Sequence, residues 1–173
     1  MITSAMWTSS GVRADDAPKP DEGDVIAYGI KFSPDGASVA LSACVKPRNG
    51  TPHVELVDCR PLSHGTGWLA NFMVERRKSA AAFVVDGLNG AGSLAERVSG
   101  KLPKKALIMA RSGDVIAAAD MFFQATKEGR LTHLSDGQER LEQSAVNSTR
   151  RAIGSSGGWG WGGDDPAPVE SAS

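Results

Sequence analysis

The sequence has few cysteines and no long hydrophobic run, and these absences exclude several classes of protein. Its two cysteines, Cys44 and Cys59, form no CxxC pair and therefore make no zinc site. A turn at Asn49-Gly50 would direct Cys44 away from Cys59, which argues against a disulfide. No apolar stretch reaches the roughly 20 residues that a membrane helix requires. Because Met1–Gly11 also lacks the layout of a signal peptide, we expect a soluble cytoplasmic protein without a membrane partner.

The sequence also lacks an excess of charge of either sign. It has 19 Lys and Arg against 20 Asp and Glu, a formal net charge of −1, so no overall basic field attracts nucleic acid. Any DNA contact would have to come from local basic clusters. Hydrophobic residues at 40% and charged residues at 23% are typical of a globular protein and argue against disorder. The 173 residues suffice for one domain with a core and are too few for two ordinary domains.

No P-loop motif, GxxxxGK[ST], occurs in the chain. The glycines of the segment 87–92 do not fit GxGxxG, and glycines often simply mark turns, so a phosphate-binding loop is the less favoured interpretation. A small-ligand-binding domain would depend on this loop alone. The three histidines have no metal-binding spacing, and no serine or cysteine lies in a nucleophile elbow.

The chain divides into an arm and one folded domain. Residues 1–23 are predicted to form a linker or arm, because the stretch 12–24 is charged and contains prolines. Met6 and Trp7 lie ahead of that stretch and are expected to dock as an isolated element. Residues 24–173 are predicted to be the domain, with a tail from Gly154 that is rich in glycine, serine and acidic residues.

The order of predicted elements favours a mixed α/β sheet. Three strands, Val25–Phe32, Ser38–Lys46 and His53–Cys59, are joined by turn sequences and should form an antiparallel meander. An alternating half follows, with predicted helices at 67–78, 93–98 and 112–129 and buried strands at 81–85 and 106–109. A last helix, with a capping box at Ser135 and Gln138, is predicted to present Leu141, Ala145, Thr149 and Ile153 on one face. The order predicts about five strands with helices on both faces.

Asp86 is the most informative residue of the sequence. It follows the buried strand 81–85 and precedes a glycine-rich loop, and open α/β sheets usually place their sites at such carboxyl ends. An aspartate in this position also commonly caps the turn that follows it. Both interpretations remain open at the level of the sequence.

A metal-dependent nuclease needs two or three carboxylates from different segments, which hold two Mg²⁺ ions about 4 Å apart. The candidates to join Asp86 are Asp35 in the first turn and Asp164 and Asp165 near the C-terminus. Each has an ordinary alternative. Asp35 is a typical turn aspartate before glycine, and the pair 164–165 has the composition of a solvated acidic tail.

The residues that would contact DNA fall in basic clusters and one aromatic segment. The candidates for phosphate contacts are Arg76, Arg77, Lys104, Lys105, Arg150 and Arg151. Such residues are also typical of solvated helix ends. Trp159 and Trp161 would point the same way in an extended segment, where they could stack on bases. The favoured alternative is that the two tryptophans cover the edge of the sheet.

Seven segments, in order, resemble parts of actinophage-type large terminase subunits. They are Tyr28–Gly36, His53–Leu56, Gly67–Leu69, Val84–Gly87, Leu131–His133, Arg150–Gly154 and Gly158–Trp161. Together they span residues 25–170, and Met6-Trp7 resembles the stretch that joins the nuclease domain to the packaging ATPase. The chain therefore resembles the C-terminal nuclease domain of a large terminase, which has a ribonuclease-H-like fold.

This resemblance implies an endonuclease that uses Mg²⁺ or Mn²⁺ to cut concatemeric double-stranded viral DNA in the host cytoplasm. The implied two-metal site would consist of Asp86, Asp165 or Asp164, and Asp35, with Glu170 as a weaker substitute for the third acid. The implied partners are double-stranded DNA, the terminase ATPase domain, the portal and the small terminase subunit. We expect the chain to be an excised domain, which agrees with the missing P-loop.

Lys31 departs from this family pattern. It occupies the place of a first-strand aspartate that binds metal in many members, and an ammonium group cannot coordinate Mg²⁺. Either Asp35 substitutes for the missing acid or the metal site is weakened or lost. The alternative function is therefore a catalytically degenerate module that binds DNA or docks on the packaging machinery.

Overall fold

A seven-stranded mixed sheet with helices on both faces forms the centre of the computed structural model, which describes residues 1–173. The strands are β1 (Gly11–Val12), β2 (Val25–Phe32), β3 (Ser38–Lys46), β4 (His53–Pro61), β5 (Ala82–Asp86), β6 (Leu107–Met109), β7 (Thr132–Leu134), β8 (Thr149–Ile153) and β9 (Gly158–Gly162). The helices are α1 (Ser4–Ser9), α2 (Gly67–Glu75), α3 (Ala91–Arg97), α4 (Ser112–Lys127), α5 (Glu139–Val146) and α6 (Ala167–Ala172). A 3₁₀ turn, Leu62–His64, follows β4.

The strand order of the sheet is β1-β7-β4-β3-β2-β5-β6. Strands β2, β3 and β4 form the expected antiparallel meander, and β5 and β6 are added in parallel beside β2. The predicted fold class, a ribonuclease-H-like mixed sheet with helices on its faces, is confirmed. The sheet has more strands than expected because β1 and β7 join it beyond β4. Each has only two or three residues, which is too short to show an alternating pattern.

Alternation along β2 separates the two faces of the sheet. Tyr28, Ile30 and Phe32 point to one face, where they pack against buried residues of α2 and α3. Gly29 and Lys31 point to the other face. That second face is covered by α1, α4, α5, α6 and β9, whose buried residues form a separate core. None of the helices has the length and hydrophobicity needed to cross a membrane.

The N-terminal residues pack against the domain. Ile2 and Trp7 are almost fully buried, and the Trp7 ring stacks on His133 with 3.8 Å between ring centroids. Strand β1 pairs in parallel with β7. Met6 and Trp7 therefore dock as expected, while residues 13–23 form turns and extended connections without a helix or strand.

The predicted C-terminal helix is too long. Helix α5 carries Leu141 and Ala145 on its buried face, as expected, but it ends at Val146. Thr149 and Ile153 lie instead in β8, which pairs antiparallel with β9 to form a hairpin. The prediction was wrong because it extended the helical spacing into a segment whose partner strand comes later in the chain.

The capping box predicted at Ser135 and Gln138 does not form. Gln138 is itself the residue before α5, and its side chain makes no capping hydrogen bond. Its amide group instead accepts a hydrogen bond from the backbone nitrogen of Leu56 at 2.6 Å and donates one to the Leu56 carbonyl at 3.2 Å. The sequence pattern is typical of a capping box, but the Gln138 side chain bonds to β4 and makes no cap.

Candidate functional site

Lys31 and Asp86 meet at the carboxyl ends of two neighbouring strands. They are register partners on the parallel strands β2 and β5, so their side chains lie on the same face of the sheet. The Lys31 ammonium donates a hydrogen bond to Asp86 Oδ2 within an ion pair. Asp86 Oδ1 accepts a hydrogen bond from the Gly87 backbone nitrogen at 2.8 Å. Asp86 therefore caps its turn and also faces a charged partner.

Glu170 brings a second carboxylate to Lys31. Its side chain is only 3% exposed, and its Oε2 lies 3.1 Å from Lys31 Nζ. This is a contact between charges without hydrogen-bond geometry, so Oε2 is a buried oxygen that accepts no hydrogen bond. Glu170 Oε1 accepts a hydrogen bond from Arg151 Nη2 at 3.0 Å. Asp86, Lys31, Glu170 and Arg151, from β5, β2, α6 and β8, form what we term the ion-pair network.

Close packing of α6 on the sheet brings Glu170 to Lys31. A Cβ atom at Gly29 would overlap the carbonyl oxygen of Ser171, so only glycine allows the helix to lie this near β2. Ser171 shares a buried hydrogen bond of 2.7 Å with Ser42 on β3. On the other side, Ser144 Oγ accepts a hydrogen bond from the Val169 backbone nitrogen at 3.1 Å. These contacts fix the helix that carries Glu170.

An open groove of about 570 Å³ leads to the ion-pair network. Asp86 and Lys31 lie in its wall, together with Arg151 from β8 and Arg111, which precedes α4. Asp86 is 27% exposed and can be reached from solvent, while Lys31 is only 7% exposed. The groove thus combines an accessible carboxylate with two guanidinium groups, an arrangement suited to a phosphate backbone.

The donor set does not match a two-metal centre. No group of three or more His, Cys, Asp or Glu side chains that could hold a metal ion exists in the structure. Two carboxylates, Asp86 and Glu170, converge, and the group between them is the ammonium of Lys31. Mg²⁺ requires near-octahedral oxygen ligands, and lysine offers only donors. The residues present therefore do not fit a pair of metal ions.

Asp35 does not replace the missing acid. Its Oδ1 accepts hydrogen bonds from Ser33 Oγ at 2.6 Å and from the Ala37 backbone nitrogen at 3.0 Å, within the turn between β2 and β3. The bond from Ser33, and next the bond from Ala37, hold the pKa of Asp35 below its ordinary value. The carboxylate is engaged in its own turn and has no contact with Lys31.

Asp164 and Asp165 also lie away from the ion-pair network. Asp165 Oδ2 pairs with Arg140 Nε of α5 at 2.9 Å, and Ser144 Oγ donates a hydrogen bond to the Asp165 carbonyl at 2.6 Å. Asp164 is exposed beside the same helix. The chain thus turns towards α5 after β9, and α6 then returns it to the sheet. Glu170 therefore takes the place that the sequence assigned to Asp164 or Asp165.

The two tryptophans pack within the domain. Trp161 is 1% exposed, meets Phe122 edge to face at 6.0 Å, and donates a hydrogen bond from Nε1 to Ser173 Oγ at 3.2 Å. Trp159 is half-buried against Phe123 and Trp161. The packing alternative therefore describes Trp161, which has no free ring face for a base. Trp159 is the more accessible of the two rings.

The predicted basic residues lie at two separate ends of the sheet. Arg151, on β8, belongs to the ion-pair network, and the neighbouring Arg150 guanidinium lies 4.9 Å from the Trp159 ring centroid. The pair 76–77 follows α2 and leads into β5, and the pair 104–105 leads into β6. Both therefore lie where β5 and β6 begin, whereas Asp86 lies where β5 ends. Neither pair is brought to the groove beside Asp86.

Sequence reasoning missed Arg111 as a groove residue. It comes soon after β6, as Asp86 ends β5, and parallel strands bring their carboxyl ends to the same edge of a sheet. The same rule that selected Asp86 could have selected Arg111. Glu170 was named only as a weaker substitute through the family resemblance, since it lies on a six-residue helix and no local pattern of the sequence marks it.

No protein-family profile matches the chain, and no curated protein matches it. The chain does match several solved structures. The large terminase of bacteriophage HK97 superposes with a TM-score of 0.67 at 12% identity, over 96% of this chain and 41% of that protein. The large terminase nuclease of thermophilic phage G20c gives 0.67 at 11% identity, over 99% and 94% of the two chains. The nuclease domain of the large terminase g2p of bacteriophage SPP1, with bound Mn, gives 0.54 at 9% identity over 87% and 84%.

These comparisons establish the fold. The chain has the architecture of large terminase nuclease domains, and it spans about 41% of the HK97 large terminase. The G20c nuclease has also been solved with bound magnesium, with a TM-score of 0.66 and 10% identity over 99% of this chain and 93% of that one.

Proposed function

We propose that the chain is the nuclease domain of a viral large terminase subunit and cuts double-stranded DNA during genome packaging. The observation that carries this proposal is the meeting of Asp86 and buried Glu170 at the carboxyl-terminal edge of the sheet. The fold that positions these two acids is shared with terminase nucleases over nearly the whole chain. The acids and the fold together favour hydrolysis of a phosphodiester bond over binding of a small ligand.

The groove residues have distinct roles in this proposal. Arg111 and Arg151 hold the phosphate backbone by charge-assisted hydrogen bonds. Asp86 faces the reacting phosphate, since it is the accessible carboxylate of the pair. Glu170 and Lys31 are more deeply buried and fix the position of Asp86. We extend to this chain a requirement for Mg²⁺ or Mn²⁺, because the G20c and SPP1 nucleases hold these ions. Asp86 and Glu170 are the carboxylates available for such an ion, which would have to displace the Lys31 ammonium from between them.

The proposal includes the setting of a packaging motor. The chain matches 41% of the HK97 large terminase, and we propose that a terminase ATPase domain is its partner. We propose that concatemeric DNA is the substrate, that the portal and small terminase subunit are further partners, and that cutting takes place in the host cytoplasm.

A second candidate is a module of the same fold that holds DNA without cutting it. The ion pairs favour this candidate, because Lys31 and Arg151 together neutralise both acids and leave the guanidinium group of Arg111 as the charged side chain of the groove that faces DNA. The two candidates predict the same DNA binding and differ in cleavage.

Nicking of supercoiled plasmid in Mn²⁺, with EDTA as the blank, separates the two candidates. The nuclease proposal predicts nicking by the unchanged domain and a loss of roughly 100-fold or more in Asp86→Asn and Glu170→Gln, as for removal of an essential acid or base. Asp165→Asn should keep its activity if Glu170 is the second acid of the site. Asp120→Asn, on an exposed face of α4, is the matched control.

Thermal unfolding of each variant checks that the fold is intact. Undiminished nicking by Asp86→Asn would remove Asp86 from the reaction. Duplex binding without any nicking by the unchanged domain would favour the DNA-holding candidate.

A further inference from the structure

Lys31 is the most buried lysine or arginine side chain of the ion pairs in the protein. It is 7% exposed and lies between two carboxylates, one on β5 and one on α6. Burial of an ammonium group is costly unless the charge is paired and hydrogen-bonded. Asp86 accepts a hydrogen bond from the ammonium, and Glu170 supplies a second negative charge 3.1 Å away. The position of Lys31 is therefore set by the two acids of the proposed site.

The charges of the ion-pair network balance. Two carboxylates, Asp86 and Glu170, face two cations, Lys31 and Arg151, with no metal ion needed for neutrality. Asp114 is a third acid that borders the adjoining apolar cavity, but its Oδ2 accepts a hydrogen bond from the Arg111 backbone nitrogen at 2.8 Å and caps α4. It leaves the balance around Lys31 unchanged.

Glu170 Oε2 depends on Lys31. It is one of two buried side-chain polar atoms in the protein that have no hydrogen bond, the other being Trp68 Nε1. The charge contact with the ammonium is its single compensation. Without Lys31, a buried carboxylate oxygen would face the Asp86 carboxylate with no cation between them. Such a pair either repels or binds a cation from solution.

We propose that the Lys31 ammonium is the resident cation of this site and takes the position of a divalent ion shared by Asp86 and Glu170. The inference rests on the proposed function for the identity of the site, and it concerns the metal requirement of that site. Lys31 holds α6 and β5 together, so the acid pair assembles without metal. Replacement of Lys31 by an acid should convert the same position into a divalent-cation site.

Thermal unfolding in Mn²⁺ and in EDTA tests this proposal on the intact chain. The unchanged protein should unfold at the same temperature, within about 1 °C, in both conditions, because its acid pair is already neutralised. Lys31→Asp should be destabilised in EDTA and gain roughly 5 °C or more in Mn²⁺, as expected for ligand binding well above its dissociation constant. Lys46→Asp, an exposed site on β3, should show no response to Mn²⁺.

Lys31→Asn guards against a Lys31→Asp variant that does not fold. It removes the ammonium without adding charge, and it should also bind Mn²⁺ more tightly than the unchanged protein, by roughly tenfold or more in calorimetric titration. If the unchanged protein bound Mn²⁺ as tightly as Lys31→Asn, the proposal would be overturned, because a metal ion would then bind regardless of Lys31. A Mn²⁺ response of the unchanged protein that disappears in Asp86→Asn would overturn it as well.

The outcome is independent of whether the domain cuts DNA. If the unchanged protein nicks plasmid and its unfolding temperature does not change with Mn²⁺, both the nuclease and the resident cation are supported. Absence of nicking with the expected Mn²⁺ response in Lys31→Asp would support the resident cation and refute the nuclease. Nicking together with a strong Mn²⁺ response of the unchanged protein would support the nuclease and refute the resident cation.

Discussion

At the scale of single residues, position 35 shows how a carboxylate near a proposed site can be occupied elsewhere. Asp35 lies four residues after Lys31, yet its side chain accepts hydrogen bonds from Ser33 and from the Ala37 backbone nitrogen. Both bonds stabilise the charged form of the carboxyl group. The same residue type, at Asp86, lies at the end of a strand and is open to the groove. Both carboxylates accept a hydrogen bond from a backbone nitrogen of their own turn, but Asp86 also meets Lys31 in the wall of the groove, whereas Asp35 is bonded only within the turn between β2 and β3.

The turn around Asp35 predicts a measurable titration. Hydrogen bonds from Ser33 and Ala37 lower the pKa of Asp35, so these bonds stabilise the folded turn above the ordinary carboxyl pKa and are lost as pH falls through the lowered value. Ser33→Ala should raise the pKa of Asp35 towards its ordinary value. Carbon-detected NMR titration of the side-chain carboxyl measures the midpoint. An unchanged midpoint in Ser33→Ala would show that Asp35 has another partner, such as a bound cation.

At the scale of elements, α6 decides which acid reaches the sheet. It has only six residues, and it lies over β2 and β3 through the Gly29 contact and the hydrogen bond between Ser42 and Ser171. A helix this short has little intrinsic stability. Its position therefore depends on packing, and a change in the sheet beneath it should displace Glu170.

Gly29→Ala tests this dependence. The added methyl group would meet the Ser171 carbonyl, so we expect α6 to shift and the protein to lose about 1–3 kcal/mol of unfolding free energy, as in other overpacked sites. Nicking should fall with it, since Glu170 would move away from Lys31. Gly92→Ala is the matched control, because that glycine lies in α3 with open space around it and should gain slightly in helix stability.

Melting temperature and nicking rate are the two measurements for this pair of variants. A Gly29→Ala protein as stable and as active as the unchanged chain would show that α6 tolerates displacement. The site would then depend less on this helix than the packing indicates.

At the scale of the whole molecule, a nearly neutral chain concentrates cations at one edge. The formal net charge is −1, but Arg111 and Arg151 line the groove that contains Asp86. The basic pair 76–77 lies towards the opposite end of β5. DNA should therefore approach the edge where β5 and β6 end, and this edge also carries the acid pair.

Salt-dependent DNA binding tests this arrangement. Affinity for a short duplex should fall linearly with salt on a logarithmic plot, and loss of one phosphate contact should reduce the slope by about 0.9. We expect this change in Arg111→Gln, measured by fluorescence anisotropy. Arg76→Gln, towards the other end of the sheet, should leave the slope unchanged. An effect of Arg76→Gln equal to that of Arg111→Gln would place the DNA elsewhere.

The sequence by itself determined the meander of β2, β3 and β4, the parallel strand β5 and the position of Asp86. These features depend on local patterns, because alternating apolar residues, turn residues and strand ends can each be recognised from a few consecutive residues. The exposed turn of Asp35 could also be read locally, as the ordinary alternative for an aspartate before glycine.

Only the tertiary structure decided that Glu170 is the acid beside Lys31 and that β8 and β9 form a hairpin. Asp165 and Glu170 are equally acidic in sequence, and their places depend on contacts between distant residues. The hydrogen bond that fixes α6 joins residues 129 positions apart, from Ser42 to Ser171. No short-range pattern encodes such a contact, because it arises from the packing of a whole helix on a finished sheet.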